Sequence, residues 1–288
     1  MFPRNLYAVP LPGGRVLSLG ERPLVMGILN VTPDSFAAGS ARLDPAAAID
    51  AALRMEAEGA DLIDIGGEST RPGSASVPAD EEIARVRPVL EGVCHRIRVP
   101  VSIDTRKAPV ACMAFDAGAS LANDVSGLRY DAALAAAAAR AGAALVIMHS
   151  RGEPATMAAD AQYGDLVAEV VSELQGGLAR AEAVGLARDR VIVDPGIGFA
   201  KRPEHSYGVL ARLASIASAL DRPLLVGPSR KSFLRAAVDD RPAPERDWGT
   251  AAAVAAAVLA GAHIVRVHAV AEMRQVVRVA EEIRRASR

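Results

Sequence analysis

The chain has 288 residues, of which 51% are hydrophobic, only 3% aromatic and 23% charged. This composition supplies the apolar surface of a large core and excludes a disordered chain. Its 33 Lys and Arg residues nearly balance 34 Asp and Glu residues, so no nucleic-acid or membrane surface is indicated. Any site for an anion must therefore be local. The length allows one domain or two small ones.

The sequence predicts a cytoplasmic protein. Its two cysteines, Cys94 and Cys112, are too few for a disulfide framework and favour a reducing compartment. The first residues lack the basic start and the apolar run of a signal peptide. No stretch reaches the roughly 18 uncharged apolar residues of a membrane span.

Short β-branched runs alternate with alanine-rich helical stretches along the whole chain. The runs cover residues 24–29, 62–65, 99–103, 120–123, 145–148, 191–193, 224–226 and 264–267. The helical stretch 44–59 opens with Asp-Pro, and the glycine of a Gly-Ala pair is expected to end it in the left-handed conformation. Such alternation predicts an α/β fold, a (β/α)8 TIM barrel formed as a single domain over residues 1–288, with the barrel proper at about 22–285.

The amino-terminal segment predicts an addition to this barrel. Residues 1–20 contain two apolar runs on either side of 10–14, which indicates a short hairpin closing the barrel's bottom. An open doubly wound sheet is the competing architecture, but it would place a glycine-rich phosphate loop near the first strand. The sequence has no such loop there, so the barrel is favoured.

Hydrogen-bonding or titratable residues follow nearly every predicted strand. They are Asn30, Asp64, Asp104, Asn123, His149, Asp194, the group Ser229-Arg230-Lys231, and Arg266 with His268. Any one of them could be a helix cap or a turn residue. Their repetition at the carboxyl ends of the strands, where barrels carry their chemistry, favours a site instead. Because residues alternate across a strand, Arg266 and His268 are expected to point together into the barrel mouth.

One group of these residues and their neighbours suits an anion. Its amide, hydroxyl, guanidinium and imidazole donors are those of Asn30, Ser69, Thr70, Arg71, Arg266 and His268. Such donors favour a phosphate or pyrophosphate. Surface salt bridges are the alternative for Arg71 and Arg266, although an arginine at the end of an apolar strand must find an anion.

A second group suits a flat heterocycle. It combines two carboxylates, an amide and an ammonium, those of Asp104, Asn123, Asp194 and Lys231. Together they could read the donor and acceptor edge of a ring, a selectivity that an apolar pocket cannot supply. Met148 and Phe199 would then lie on the ring faces, although a methionine in a strand is more often core.

Metal-centred and covalent chemistry find less support in the sequence. The histidines show no paired spacing such as HxxxH. No Gly-x-Ser-x-Gly nucleophile elbow is present. Lys231 lies in Ser-Arg-Lys-Ser, a setting that suits hydrogen bonding better than a Schiff base.

Seven segments carry long motifs. They are Met-Gly-Ile-Leu-Asn-Val-Thr-Pro-Asp-Ser-Phe at 26–36, Asp-Ile-Gly-Gly-Glu-Ser-Thr-Arg-Pro-Gly at 64–73, Ser-Ile-Asp-Thr-Arg-Lys at 102–107, Asn-Asp-Val-Ser-Gly at 123–127, Asp-Pro-Gly-Ile-Gly-Phe at 194–199, Ser-Arg-Lys-Ser-Phe at 229–233 and Arg-Val-His at 266–268. Together they resemble the dihydropteroate synthase family over almost the whole chain. The resemblance implies a folate-biosynthesis enzyme and sulfonamide target that joins 6-hydroxymethyl-7,8-dihydropterin pyrophosphate to p-aminobenzoate and releases pyrophosphate with Mg²⁺. It also implies a homodimer packed through the C-terminal helices.

The resemblance further implies a role for each matching residue. The residues expected at the reacting atoms are Asp104, Lys231, Arg266 and His268. The pterin would be held by Asp104, Asn123, Met148, Asp194, Gly227 and Lys231. The pyrophosphate would be held by Asn30, Ser69, Thr70, Arg71, Arg266 and His268, with Asn30 as the protein ligand of Mg²⁺. The p-aminobenzoate would lie against Pro33, Phe36, Thr70, Pro72, Phe199, Lys231 and Ser232.

The first loop departs from the family pattern. The family usually continues after Phe36 with Ser-Asp-Gly-Gly, whereas this chain reads Ala37-Ala38-Gly39-Ser40, and Ala269 replaces the usual acid after Arg-Val-His. The lost hydroxyl and carboxylate predict weaker loop closure and reduced activity. Two alternatives stay open, a non-catalytic pterin-binding paralogue and a methyltetrahydrofolate methyltransferase. The methyltransferase would not need Arg71, Lys231 and Arg266 for pyrophosphate.

Overall fold

Parallel strands form a barrel in the computed structural model, which describes residues 4–32, 44–69, 74, 76–153, 156–157 and 159–287. An antiparallel hairpin of β1 (Tyr7–Pro10) and β2 (Val16–Leu19) comes first. The barrel strands are β3 (Leu24–Asn30), β4 (Leu62–Gly66), β5 (Val101–Asp104), β6 (Leu121–Asp124), β7 (Ala144–Met148), β8 (Val191–Asp194), β9 (Leu225–Val226) and β10 (Ile264–Val267). They pair in the order β8-β7-β6-β5-β4-β3-β10-β9, and a parallel bridge from Val193 to Leu224 joins the two ends. The predicted (β/α)8 fold and hairpin are confirmed.

Helices cover the outside of the barrel. They are α1 (Pro45–Glu58), α2 (Ala79–Cys94), α3 (Ala108–Asp116), α4 (Ala133–Ala141), α5 (Leu166–Ala183), α6 (Pro203–Ala211), α7 (Leu213–Leu220), α8 (Asp247–Leu259) and α9 (Val270–Ala286), with a 3-10 helix at Ser232–Val238. Asp44 caps α1 by accepting from the Ala46 N–H at 3.0 Å, and Gly59 ends it at φ +96°. Both ends of α1 thus follow from its capping residues. Among the described residues, no helix is long and apolar enough to cross a membrane.

Three strands begin later than the sequence predicts. β6 starts at Leu121, one residue after the start of its run, and the later starts of β5 and β9 have local causes. The run at 99–103 becomes β5, which starts at Val101, because Pro100 has no N–H to donate to a neighbouring strand. The Val99 N–H is bound instead by the Glu56 carboxylate at 3.2 Å. The run at 224–226 becomes the two-residue β9. Here the Leu224 N–H donates to the His263 ring at 3.0 Å rather than to a strand.

The hairpin seals the bottom of the barrel. Its side chains Val9, Leu11, Leu17 and Leu19 form one buried cluster with the inward residues at the amino ends of the strands, among them Leu24, Leu62, Leu121 and Ile264. Burying each of these side chains contributes about 1.5–3 kcal/mol. The bottom of the barrel is therefore apolar and closed, which leaves the carboxyl ends of the strands for polar groups.

Candidate active site

The inward positions at the carboxyl ends of the strands are polar. Side chains alternate along each strand, so Asp104, Asn123, Asp194 and Arg266 point toward the barrel axis from β5, β6, β8 and β10. They lie above the apolar cluster at the bottom of the barrel. The register pairs Asp104 with Asn123 on the neighbouring strand. The side chains of Asp104, Asn123 and Asp194 are buried. The sequence-predicted heterocycle group is thus gathered inside one mouth.

Arg266 connects two carboxylates across this mouth. Its Nε donates to Asp64 Oδ2 and its Nη2 donates to Asp104 Oδ2, each at 2.6 Å. Asn123 Nδ2 also donates to Asp64 Oδ2, at 2.9 Å. The anion that Arg266 needs is therefore supplied by the protein itself, by two strands of the same barrel wall.

Asp104 is held in an unusual electrostatic state. Burial raises its pKa above the ordinary aspartate value, and the nearby Asp64 carboxylate raises it further, while Arg266 opposes both. Its Oδ1 is buried and has no hydrogen-bond partner among the described residues. A buried acceptor of this kind costs free energy until a donor reaches it. Asp104 is therefore prepared to accept a hydrogen bond from a ligand.

Lys231 reaches the mouth from the loop that follows β9. Its ammonium donates to the Ile197 carbonyl oxygen and lies 4.5 Å from the centre of the Phe199 ring. Burial lowers the pKa of Lys231 to about 8, although Asp194 opposes the shift. The carbon stem packs on Gly198, where an added Cβ would lie 3.0 Å from Lys231 Cδ. Glycine at this position, with φ +79°, permits both the turn and the contact.

Asp194 is fixed by the loop that it begins. The Gly196 N–H donates to Asp194 Oδ1 at 2.7 Å. Burial raises the pKa of Asp194, and Lys231 is the strongest opposing influence. A Cβ on Gly196 would lie 1.8 Å from the His149 carbonyl oxygen, so only glycine fits there. Met148, the β7 partner of Asp194 in the sheet register, is buried beside it.

His268 lies beside Ser229 at the side of the mouth expected to hold an anion. The Ser229 hydroxyl is 2.9 Å from His268 Nδ1 and accepts from the His268 N–H at 3.2 Å. Arg230, between Ser229 and Lys231, is bound by Asp247 through two donors at 2.7 and 2.6 Å. Arg230 therefore anchors this loop to α8.

The remaining described candidates lie at the rim. Asn30 ends β3 and is partly exposed, as is Ser69 after β4, while Ser232 is exposed at the start of the 3-10 helix. Gly227 follows β9 and leaves room beside the Arg266 stem, since an added Cβ would lie 3.7 Å from Arg266 Cβ. Within the described part of the chain, no group of three or more His, Cys, Asp or Glu residues is arranged to hold a metal ion.

Comparison with known proteins identifies the family to which this chain belongs. The family model described as pterin binding enzyme matches residues 26–268. A dihydropteroate synthase from Synechocystis sp. is 43% identical over 280 residues, which are 97% of this chain and 96% of that protein. The chain belongs to the dihydropteroate synthase family of pterin-binding enzymes.

Solved structures of this family have the same fold. The dihydropteroate synthase of Xanthomonas albilineans with 4-aminobenzoic acid is 40% identical, with a TM-score of 0.87 over 96% of this chain and 98% of that one. The Burkholderia cenocepacia dihydropteroate synthase complexed with 7,8-dihydropteroate is 39% identical, with a TM-score of 0.86 over 100% of this chain and 99% of that one. Both structures cover the full barrel.

Part of the site expected for a dihydropteroate synthase lies outside the described residues. These positions are Pro33, Phe36, Thr70, Arg71 and Pro72, together with Ala37 and Ala38 of the altered first loop. Their predicted roles stay predictions. The described residues comprise the predicted pterin group and the strand-end part of the pyrophosphate group.

Two residues with contacts in this site were given no role by sequence reasoning. The sequence indicated Asp64 only as the end of a predicted strand. Its position two residues after the inward Leu62 could have predicted that it also points into the barrel. Lys201 is buried beneath the loop of Phe199, with its ammonium 2.7 Å from His149 Nδ1 and 3.2 Å from the Phe199 carbonyl oxygen. Burial and Lys201 lower the pKa of His149 to about 4. His149 therefore supports this loop, and no local sequence pattern announces the contact.

Proposed function

We propose that this chain is a dihydropteroate synthase of folate biosynthesis. It condenses 6-hydroxymethyl-7,8-dihydropterin pyrophosphate with p-aminobenzoate and gives 7,8-dihydropteroate and pyrophosphate. The observation that carries the proposal is the convergence of the buried Asp104, Asn123 and Asp194 with the partly buried Lys231 and Arg266 in one mouth. The family relationship supplies the identity of the two substrates.

Recognition of the pterin is assigned to the buried polar group. A pterin ring carries several N–H donors and ring acceptors along its edges, and buried partners reject rings that leave them unpaired. Asp104 and Asp194 supply acceptors, and Lys231 supplies a donor. Met148 and Phe199 lie next to this group and can cover the ring faces, with Phe199 already in contact with the Lys231 ammonium.

The charge balance of the mouth favours a cation in the ring. Three carboxylates, those of Asp64, Asp104 and Asp194, face two basic groups in the mouth. These are the guanidinium of Arg266 and the amine of Lys231, whose pKa is lowered. The C–O bond between the pterin methylene and pyrophosphate breaks with its electron pair leaving on the pyrophosphate. The cation that remains is delocalised into the pterin, and the Asp104 carboxylate stabilises it.

Exchange of bridging and non-bridging pyrophosphate oxygens without p-aminobenzoate would report this early ionisation. Complete absence of the exchange would speak against it.

Departure of pyrophosphate requires positive charge and hydrogen-bond donors at the rim. His268, Asn30 and Ser69 supply donors from the described residues, and Arg266 can add only the donors that its bonds to Asp64 and Asp104 leave over. Arg71 is expected to add a second guanidinium. The amide oxygen of Asn30, a partly exposed residue, is the protein ligand assigned to Mg²⁺, a hard cation that usually takes one or two protein oxygens and completes its shell with phosphate oxygens and water. When bound, Mg²⁺ would neutralise charge on the leaving pyrophosphate.

The p-aminobenzoate is placed at the outer edge of the pterin pocket. Its amine attacks the methylene carbon, a C–N bond forms, and the nitrogen then loses a proton to pyrophosphate or solvent. Phe199 and Lys231 contact each other and Ser232 follows, so an aromatic face, an ammonium and a hydroxyl are available to an aromatic carboxylate. Closure of the first two loops would exclude water, which would otherwise trap the cation.

A homodimer through the C-terminal helices is also proposed. On α8 the outward residues Trp248, Ala252 and Ala256 are exposed and apolar, spaced four residues apart. On the adjacent α9, Val279 and Ile283 are exposed as well. An apolar face of this kind is typical of an isologous interface. Trp248→Glu with Val279→Glu should give a monomer by sedimentation, whereas Val184→Glu, an exposed change at the end of α5, should not. The cytoplasmic location stays a prediction from cysteine usage.

Release of pyrophosphate that depends on p-aminobenzoate tests the proposed function. The wild-type protein should release pyrophosphate from the pterin substrate only when p-aminobenzoate is present, and Lys231→Ala and Arg266→Ala should lose most of this rate. The altered Ala37-Ala38 loop favours one rival, a pterin-binding protein without catalysis. Pterin binding with no pyrophosphate release would establish that rival and reject the enzyme.

A further inference from the structure

We propose that Asp64 is a positioning residue that decides which end of the Asn123 amide faces the pterin pocket. This inference rests on the proposed function, because it concerns how the same pocket chooses its ring. Asp64 is fully buried on β4. The strand register places it opposite Ser102, one inward position deeper than Asp104, which pairs with Gly66. Asp64 therefore lies one inward position below Asp104, where its bonded Oδ2 faces Asn123 and Arg266.

The Asn123 side chain has a donor end and an acceptor end of nearly the same shape. Its orientation is therefore set by hydrogen bonding and not by packing. Asp64 Oδ2 lies 2.9 Å from Asn123 Nδ2, and an ionised carboxylate can only accept. The amide nitrogen must face Asp64, so the carbonyl oxygen is the end that Asn123 presents to a ligand.

Arg266 keeps Asp64 in this accepting state. Its Nε donates at 2.6 Å to the same Oδ2 atom that receives the Asn123 donor. A charge-assisted bond from a guanidinium is stronger than a neutral one and fixes the rotamer of the carboxylate. The Asp64 side chain is completely buried, while that of Arg266 is 17% exposed. Asp64 is therefore the more firmly held of the two partners.

The consequence is a preference for one kind of ring edge. With the Asn123 carbonyl turned inward, the pocket offers acceptors from Asn123, Asp104 and Asp194. Such a wall binds a heterocycle edge that carries N–H donors and rejects a ring with acceptors at the same positions. Asp64 thus determines specificity through the orientation of the Asn123 amide.

The test compares three variants by calorimetric binding of pterin itself, without pyrophosphate. Asp64→Leu keeps the branching at Cγ but removes the acceptor, so the Asn123 amide can turn either way. Asp64→Leu with Asn123→Asp restores an acceptor that faces the pocket in either orientation, and it keeps the total charge of the site. Ser102→Ala is the matched control, since Ser102 lies opposite Asp64 and its hydroxyl is buried without a hydrogen-bond partner among the described residues.

The proposal expects Asp64→Leu to raise the Kd for pterin about tenfold or more and to leave the KM for p-aminobenzoate within about twofold. The double variant should recover a Kd within about fivefold of wild type, and Ser102→Ala should not change it. An unchanged Kd in Asp64→Leu overturns the proposal. A double variant that does not fold, or that folds and binds no better than Asp64→Leu, also overturns it. If wild type binds pterin but releases no pyrophosphate, the proposed function fails while these binding results still decide the role of Asp64.

Discussion

Arg266 and Asp104 form a buried ion pair in which Nη2 lies 2.6 Å from Oδ2, and the same guanidinium is bound by Asp64. One cation thus compensates two carboxylates on neighbouring strands. Replacing it with an apolar side chain leaves both buried carboxylates without this cation, and breaking a buried ion pair in this way typically costs about 3–5 kcal/mol.

We therefore expect Arg266→Met to lower the free energy of unfolding by a few kcal/mol and kcat/KM by at least about a hundredfold. Arg22→Met is the control, because the Arg22 side chain is 56% exposed in its pair with Asp61 and the pair should contribute under about 1 kcal/mol. Urea denaturation and steady-state kinetics measure the two effects. Equal stability losses in the two variants would contradict the account.

Lys231 predicts the basic limb of the pH profile. Because burial lowers the pKa of Lys231 to about 8, kcat/KM should fall as the pH rises past that value and the ammonium is lost. The raised pKa of Asp104 places the acid limb above the ordinary aspartate range, since this carboxylate must be ionised to stabilise the cation. In Lys231→Arg the guanidinium stays charged, so the basic limb should move up by at least about one pH unit. A basic limb at the same pH in both proteins would show that another group causes it.

His263 predicts a loss of stability in acid. Its Nδ1 accepts the Leu224 N–H and its Nε2 lies 3.0 Å from the Asn5 carbonyl oxygen, which requires the neutral ring. Burial lowers the pKa of His263 to about 4, so the unfolded chain binds a proton first as the pH falls. The contribution of His263 to the free energy of unfolding, about 3 kcal/mol, is fully present above about pH 6.5 and is lost as the pH falls from that value to about 4.

His263→Gln isolates this contribution. Glutamine can accept and donate as the neutral imidazole does, but it does not titrate. Chemical denaturation at several pH values should show a shallower loss of stability in the variant than in the wild type, while the contribution of His149 remains in both. Parallel curves for the two proteins would remove His263 from the explanation.

Much of the fold could be predicted from local sequence. The β-branched runs located the strands, and Asp44 and Gly59 located the ends of α1, because strand pattern and helix capping are local properties. Strand alternation also predicted that Arg266 points inward. The partners of Arg266 could not be predicted this way, since its contact with Asp64 joins residues 202 positions apart. The Lys201–His149 contact could not be predicted for the same reason, since it joins residues 52 positions apart.

The first loop supplies a prediction that rests on sequence alone. Positions 37 and 38 carry alanine where the family usually has Ser and Asp. Restoring them in Ala37→Ser with Ala38→Asp should raise kcat/KM for p-aminobenzoate severalfold, because a hydroxyl and a carboxylate can order the closed loop. The KM for the pterin substrate should change little. An unchanged kcat/KM would show that these side chains do not limit closure.

The most direct test of the central claim is mass spectrometry of the product. Wild-type protein incubated with the pterin pyrophosphate, Mg²⁺ and ring-labelled p-aminobenzoate should form labelled 7,8-dihydropteroate in amounts equal to the pyrophosphate released. Lys231→Ala should form it at least about a hundredfold more slowly. Pyrophosphate release without labelled dihydropteroate, or equal product from wild type and Lys231→Ala, would contradict the assignment of this mouth to the condensation.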